Sequence, residues 1–272
     1  MNAYWVADTI PEPTGLEMIY TFLSVKFWKH FHPQIPTVLY TDIESWTYLK
    51  LIDEWDDVVF YDFKNTPIIK GTGKFWAAGK LQAMQYFTPP FCILDLDMFY
   101  TDTIQFSEPV IAAYLELGSL YYINPNHPSF VKAGIKPFSK SQNALNVSFL
   151  YIQEPEFHKM YVETSLDWME RLSNIGDAGG SFMTFCEQKL LLDLIYRDNI
   201  RFDILVKHPY HCRCNEWVGG LDNLNYFHLQ MDKQRVETDA ILYAKLKGKA
   251  IKKADEIDEN IRIELYKFIQ RL

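Results

Sequence analysis

The first hundred positions switch repeatedly between short unbroken apolar runs and longer stretches with helical spacing. Tyr4–Ala7 is apolar and ends at Asp8-Thr9, which reads as a buried strand. Thr14 followed three residues later by Glu17 has capping-box spacing, and apolar residues at 16, 19, 20, 23 and 27 then recur at helical period to about Phe31. Thr37–Tyr40 is a second strand ending in Thr41-Asp42, Ile43–Ile52 a helix, and Asp57–Phe63 a third strand. A Pro/Gly-containing loop over 65–73 precedes a helix, Phe75–Phe87, that carries Lys80. Pro89-Pro90 stops it. The apolar run Phe91-Cys-Ile-Leu94 then enters Asp95-Leu96-Asp97, predicting a buried strand whose end bears two carboxylates. Strand, helix, strand, helix, strand, helix, strand is the signature of a parallel sheet with helices packed on it.

The second half is less regular. Leu117–Ile123 reads as a strand, 124–142 as a polar loop, and Asn143–Tyr151 as a strand entered through the pair Asn143 and Asn146. Glu156–Leu172 is a helix, Gly176–Gly180 a turn containing Asp177, and Ser181–Tyr196 a helix holding Glu187-Gln188. Phe202–Val206 is a strand and His208–Tyr226 largely loop. From Glu237 onward the pattern is helical, with apolar residues at 242, 246, 257, 261, 265, 268, 269 and 272. There is no internal repeat.

Composition narrows the class. A chain of 272 residues with 48% hydrophobic and 23% charged residues fits one α/β domain with an extension. A net charge of −8 argues against nucleic acid as the main partner. Of the four cysteines, Cys92 and Cys186 lie in apolar runs, as reduced buried thiols do. No stretch approaches the roughly 18 apolar residues of a membrane span, and the first residues lack the basic start and apolar core of a signal peptide. The expected location is cytoplasmic. Lys245–Lys249 and Lys252-Lys253 form a basic amphipathic stretch that could make weak peripheral contact with an anionic membrane. The acids from Asp255 to Glu259 argue for a solvated helical face instead.

Side chains two apart on a strand share a face, so Asp95 and Asp97 are expected to point the same way. Two carboxylates at the open end of a core strand suit a hard divalent cation, Mg²⁺ or Mn²⁺, and strand ends are where open α/β sheets bind ligands.

The order of features then matters: an α/β half ending in Asp95-x-Asp97, an Asn-flanked strand, a helix with Glu187-Gln188, and a late His228 followed by Lys233. Over about residues 3–235 this resembles the GT-A glycosyltransferases, especially their glycogenin-like and galactosyltransferase-like members. The resemblance implies a single GT-A-type, Rossmann-like α/β domain over 1–235. Its mixed, mainly parallel central sheet would be flanked by helices, with a helical extension over 236–272. It implies a hexosyltransferase using a nucleotide-diphospho-sugar, a UDP-sugar foremost, with a glycan or lipid-linked acceptor. Asp95, Asp97 and His228 would hold the metal against the diphosphate, with Asp95 also meeting ribose or sugar. Lys233 would bind phosphate, although the family's usual His-x-x-Gly-x-x-Lys is altered here: Met231 replaces the Gly and the Lys comes one residue early. Asp8 and Thr9, with Tyr40, would line the base pocket, Lys80 would contact the donor, and Asn146 would lie near the donor sugar. Glu187, Gln188 and Asp177 are the candidates for the chemical step, as a carboxylate base for inversion or a polar group beside the anomeric carbon for retention.

Three other readings compete. A haloacid-dehalogenase-like phosphatase also uses Asp-x-Asp at a strand end, but expects a Thr where Phe99 stands. His208, His211, Cys212 and Cys214 are close in sequence, yet Cys-x-Cys is not the usual zinc-knuckle spacing. A sugar-nucleotide-binding protein of the same fold without transferase activity would differ only in turnover.

Overall fold

The computed structural model describes residues 1–8, 13–63, 77–118, 123–177, 179–211, 216–217, 225–229 and 238–272. Among them the strands are, in chain order, β1 (Asn2–Ala7), β2 (Thr37–Thr41), β3 (Asp57–Phe60), β4 (Phe91–Leu94), β5 (Met98–Tyr100), β6 (Val110–Leu117), β7 (Ala144–Ile152), β8 (Phe202–Ile204), β9 (Tyr210–His211), β10 (Glu216–Trp217) and β11 (Tyr226–His228). The helices are α1 (Gly15–Phe31), α2 (Ile43–Leu49), α3 (Ala78–Met84), α4 (Pro128–Lys132), α5 (Pro155–Asn174), α6 (Gly180–Thr184), α7 (Leu190–Arg197), α8 (Ala240–Ile257) and α9 (Glu259–Ile269). A π-helical turn, Phe185–Lys189, joins α6 to α7. This is the expected α/β class, with mixed, mainly parallel strands and flanking helices.

The chain forms two compact units. One comprises Asn2–Phe60, Leu94–Ile104 and Leu224–Leu272. In it β1, β2 and β3 run parallel, with Val6 opposite Tyr40 and Tyr40 opposite Val59. The predicted capping box starts α1: the Thr14 hydroxyl accepts from Glu17 N–H (3.2 Å) and the Glu17 carboxylate accepts from Thr14 N–H (2.8 Å). Leu16, Ile19, Tyr20, Leu23 and Phe27 are all buried, as their spacing demands. Asp42 caps α2 through Ser45 N–H (2.7 Å).

The helical C-terminal stretch divides in two at Asp258. Its extended backbone (φ −159°, ψ 123°) ends α8, and its carboxylate caps α9. Both helices pack on α1, where Phe268 stacks on Phe22 (centroids 4.5 Å apart) and Lys26 bridges Glu54 and Glu264.

The same unit contains a pH-sensitive packing group. His32 is 2% exposed, lies on the Trp28 ring, and its Nε2 accepts from Ile104 N–H (3.3 Å). Burial lowers its pKa from 6.5 to about 4. Between those values the unfolded chain takes up a proton that the folded chain refuses. Stability is therefore full above the unfolded value and falls as pH drops from 6.5 toward about 4. The loss amounts to about 3 kcal/mol. His32→Gln keeps an acceptor for Ile104, so its melting temperature should decline less than the wild type's over that range. Parallel curves would assign the acid sensitivity to other groups.

The second unit comprises Met1, Tyr61–Ile93 and Gln105–Asn223. Here β6 is central: β7 pairs with it antiparallel, β8 and β9 pair with it parallel, and β10 adds antiparallel to β9. All nine residues of β7 are buried, and the π turn and α7 pack against it. β6 ends at Leu117, where a strand over Leu117–Ile123 was expected to begin, and Gly118 (φ +56°) follows its last residue. Residues 119–122 lie outside the described set. The Ala112-Ala113 pair, depleted in strands, hid β6 from the apolar pattern. The polar loop 124–142 contains α4, opened by His127 as N-cap with Pro128 at the first helical position.

Candidate metal centre

β4 stops at Leu94, so the two aspartates are not on the strand, as the alternation had placed them. Asp95-Leu96-Asp97 forms the turn into β5. Asp favours turns because its short carboxylate competes with ladder hydrogen bonds. The turn still brings the pair together, and it joins them to a residue far along the chain. One ligand atom each from Asp95, Asp97 and His228 lies within 4.8 Å of the others. His228 Nε2 is 3.4 Å from Asp97 Oδ1 and 4.0 Å from Asp95 Oδ2.

The backbone fixes this meeting. β11 pairs antiparallel with β5, setting His228 opposite Met98, and Leu229 N–H donates to Asp97 O (3.0 Å). Beneath the ladder Phe99 is fully buried, stacked on Phe227 (4.6 Å) and packed against Tyr20 and Phe27 of α1. Tyr226, two residues before His228 and on the same strand face, places its Oη 3.0 Å from His228 Nδ1. When Nδ1 carries the proton and donates it to Tyr226, Nε2 keeps the lone pair a cation needs. The His228 and Asp97 side chains are 9% and 8% exposed, whereas Asp95 is 31% exposed. The cluster is thus rooted on Asp97 and His228 and open on the side of Asp95. Two carboxylates and one imidazole fit a divalent ion. The described residues hold one such group of potential ligands.

Two of the expected base-pocket residues lie in the same unit. Asp8 directly follows β1, and Tyr40 is half-buried on β2 with its ring edge against Tyr4 (5.8 Å). Thr9 and Lys233 lie outside the described residues, as do Cys212 and Cys214 of the zinc reading.

The other candidates belong to the second unit. Lys80 is not a solvated helical charge. Its Nζ pairs with Glu187 Oε1 at 2.8 Å and donates to Val147 O (3.1 Å), with side-chain exposures of 14% for Lys80 and 3% for Glu187. The expected continuous helix over 181–196 is interrupted where it carries Glu187 and Gln188. Both sit in the π turn, an irregularity often found at functional sites, and Tyr161 Oη donates to Glu187 O (3.0 Å). Asn146 is buried: its Nδ2 donates to Glu116 (3.0 Å) and its Oδ1 accepts from Ser148 N–H and Oγ–H. Asp177 is half-buried just beyond α5, after Gly176 at φ +81°.

Sequence reasoning missed Tyr226 and Glu116. The Tyr226-x-His228 alternation on a strand would have pointed to the first. A lone Glu in an apolar run, far in sequence from Asn146, gave no sign of the second.

Fold and site define an α/β protein with a candidate divalent-metal centre in a strand-to-strand turn. The sequence matches the family of unknown function DUF6734 over residues 23–249, and the chain belongs to that family. No curated protein matches it. Among solved structures it is similar to an active-site mutant of LgtC (12% identity, TM-score 0.47, covering 92% of this chain and 96% of that one). It is also similar to the glycosyltransferase PaToxG (11% identity, TM-score 0.44, 72% and 69%). A third is mouse xyloside xylosyltransferase 1 (12% identity, TM-score 0.41, 75% and 84%). At these TM-scores the likenesses assign no activity. Among the described residues no helix is long and apolar enough to cross a membrane.

Proposed function

We propose that the chain is a divalent-metal-dependent glycosyltransferase that moves a hexose from a nucleotide-diphospho-sugar, a UDP-sugar foremost, to a glycan or other acceptor. The convergence of Asp95, Asp97 and His228, with Tyr226 orienting the imidazole, carries this reading. A divalent ion held there would act as a Lewis acid on the diphosphate, whose negative charge grows as the glycosidic bond breaks. Asp97 and His228 are the anchoring ligands because burial holds their side chains in place. Asp95, more exposed, has room to meet a ribose or sugar hydroxyl as well.

Asp8 and Tyr40 are proposed to hold the base, with Thr9 and Lys233 added from the sequence alone. Lys80, Asn146, Glu187, Gln188 and Asp177 are proposed on the sugar side. Lys80 matches the charge of Glu187, which suits that carboxylate to holding a sugar hydroxyl and Gln188 to the polar role beside the anomeric carbon. The phosphatase reading loses support at Phe99, whose fully buried ring fills the place of the expected Thr.

The test is thermal unfolding against UDP-, GDP- and CMP-sugars with and without Mn²⁺. One donor should raise the melting temperature only when Mn²⁺ is present, by mass action on the folded state. Mn²⁺ alone should give a smaller rise. No metal-dependent shift with any donor would overturn the proposal.

A further inference from the structure

One sequence feature plays no part in the metal-centre chemistry. Between Lys245 and Lys253 the chain carries five lysines and no acid, although its net charge is −8. The structure puts this run in α8, whose inner side packs on α1 and buries Ala250 and Ala254. Ile241, Ala244, Lys245, Gly248, Lys249 and Lys252 are all exposed, and their spacing sets them along one side of the helix. Ile241 is 83% exposed, and nothing lies within 4 Å of where a side chain at Gly248 would begin.

The nearby acids reach only the end of this face, at Lys252. Asp255 is paired with Arg262 (2.8 Å), and Glu256 lies between Lys252 (3.6 Å) and Lys253 (3.7 Å) in the last turns. Lys247 sits over the Tyr243 ring (5.9 Å).

We infer that this face of α8 docks on an anionic lipid bilayer surface. Clustered lysines on an amphipathic helix gain attraction from anionic headgroups, each contributing modestly and additively. Ala244 and Gly248 are small enough to let the face approach a plane closely, and Ile241 offers an apolar side chain to the headgroup layer. Nucleic acid fits less well. The cluster has lysines and no arginine, and the acidic remainder of the chain would repel a polyanion that wraps it, whereas a flat surface meets this face alone. The inference concerns a different surface from the metal centre and does not rest on the proposed function.

Co-sedimentation of the full chain with lipid vesicles tests it. Phosphatidylcholine vesicles with about a third phosphatidylserine should bind the protein at low salt and release it near 0.5 M salt. Pure phosphatidylcholine should not bind it. Combined Lys245→Glu, Lys249→Glu and Lys252→Glu should lower partitioning by about tenfold or more, with an unchanged melting temperature. Ile241→Asp alone should weaken binding less. Equal binding to neutral vesicles, binding that survives salt, or an undiminished triple variant would overturn the inference. Capture by heparin or single-stranded DNA without capture by anionic vesicles would also overturn it, in favour of a soluble polyanion.

Discussion

Asp97→Ala should abolish the Mn²⁺-dependent thermal shift and lower turnover by about 10² to 10³-fold, the cost of removing a main electrostatic stabiliser of a developing charge. Asp97 is a buried carboxylate that meets His228 at 3.4 Å, and its own carbonyl accepts from Leu229 N–H. The substitution removes the carboxylate and leaves that backbone bond intact, so the β5–β11 ladder should persist. Tyr226→Phe makes the contrast. It takes away only the oxygen on His228 Nδ1, so metal affinity should drop by about 10 to 100-fold while the ligands remain. Isothermal titration with Mn²⁺ on both variants, without donor, separates the two. If Asp97→Ala binds Mn²⁺ as the wild type does, the ion is held elsewhere and the metal-centre reading fails.

The second large effect concerns folding. Lys189, on the π turn, is buried with its side chain 1% exposed, and it pairs with Asp193 one helical turn later, itself 2% exposed. The Ser139 hydroxyl joins both, donating to Asp193 (2.7 Å) and accepting from Lys189 (2.9 Å). Burial pushes the Lys189 pKa down, and the Asp193 carboxylate works against that shift. Lys189→Met strands Asp193 in the core and should cost about 3–5 kcal/mol, the usual penalty for an uncompensated buried charge. In a chain of this size that is about 6 to 20 °C in melting temperature. Lys189→Met combined with Asp193→Leu should recover most of the loss, because an apolar pair of similar volume is often as stable as a buried ion pair. A double variant no more stable than the single one would show that the pair contributes more than charge neutralisation.

How much of this could be read beforehand differs by element. The capping box of α1, the parallel strands β1, β2 and β3, and the strand β7 follow from local spacing, and each formed within a few residues of its predicted bounds. That Asp95 and Asp97 come together at the end of β4 was legible, because the apolar run Phe91–Leu94 sets where the strand delivers them. Their exact setting was not, since strand alternation and a turn both bring the pair together. The partnership of Lys80 with Glu187, the Lys189–Asp193–Ser139 cluster and the π turn were invisible. Lys80 and Ser139 meet their partners across long sequence separations, where helical periodicity carries no information, and the i,i+4 spacing of Lys189 and Asp193 gives no sign that both are buried. Lys189 is the clearest case: a lysine reads as solvated from sequence, and only the fold shows that it is buried.

Tyr20 and Phe27, seven residues apart, support the strand that leads from the turn bearing Asp95 and Asp97, whereas Phe22 and Lys26 hold the C-terminal helices that carry the lysine face. One seventeen-residue helix is therefore the common datum for both features. A slip of one residue in its register, about 100° of rotation, would misplace ligand strand and lysine face together.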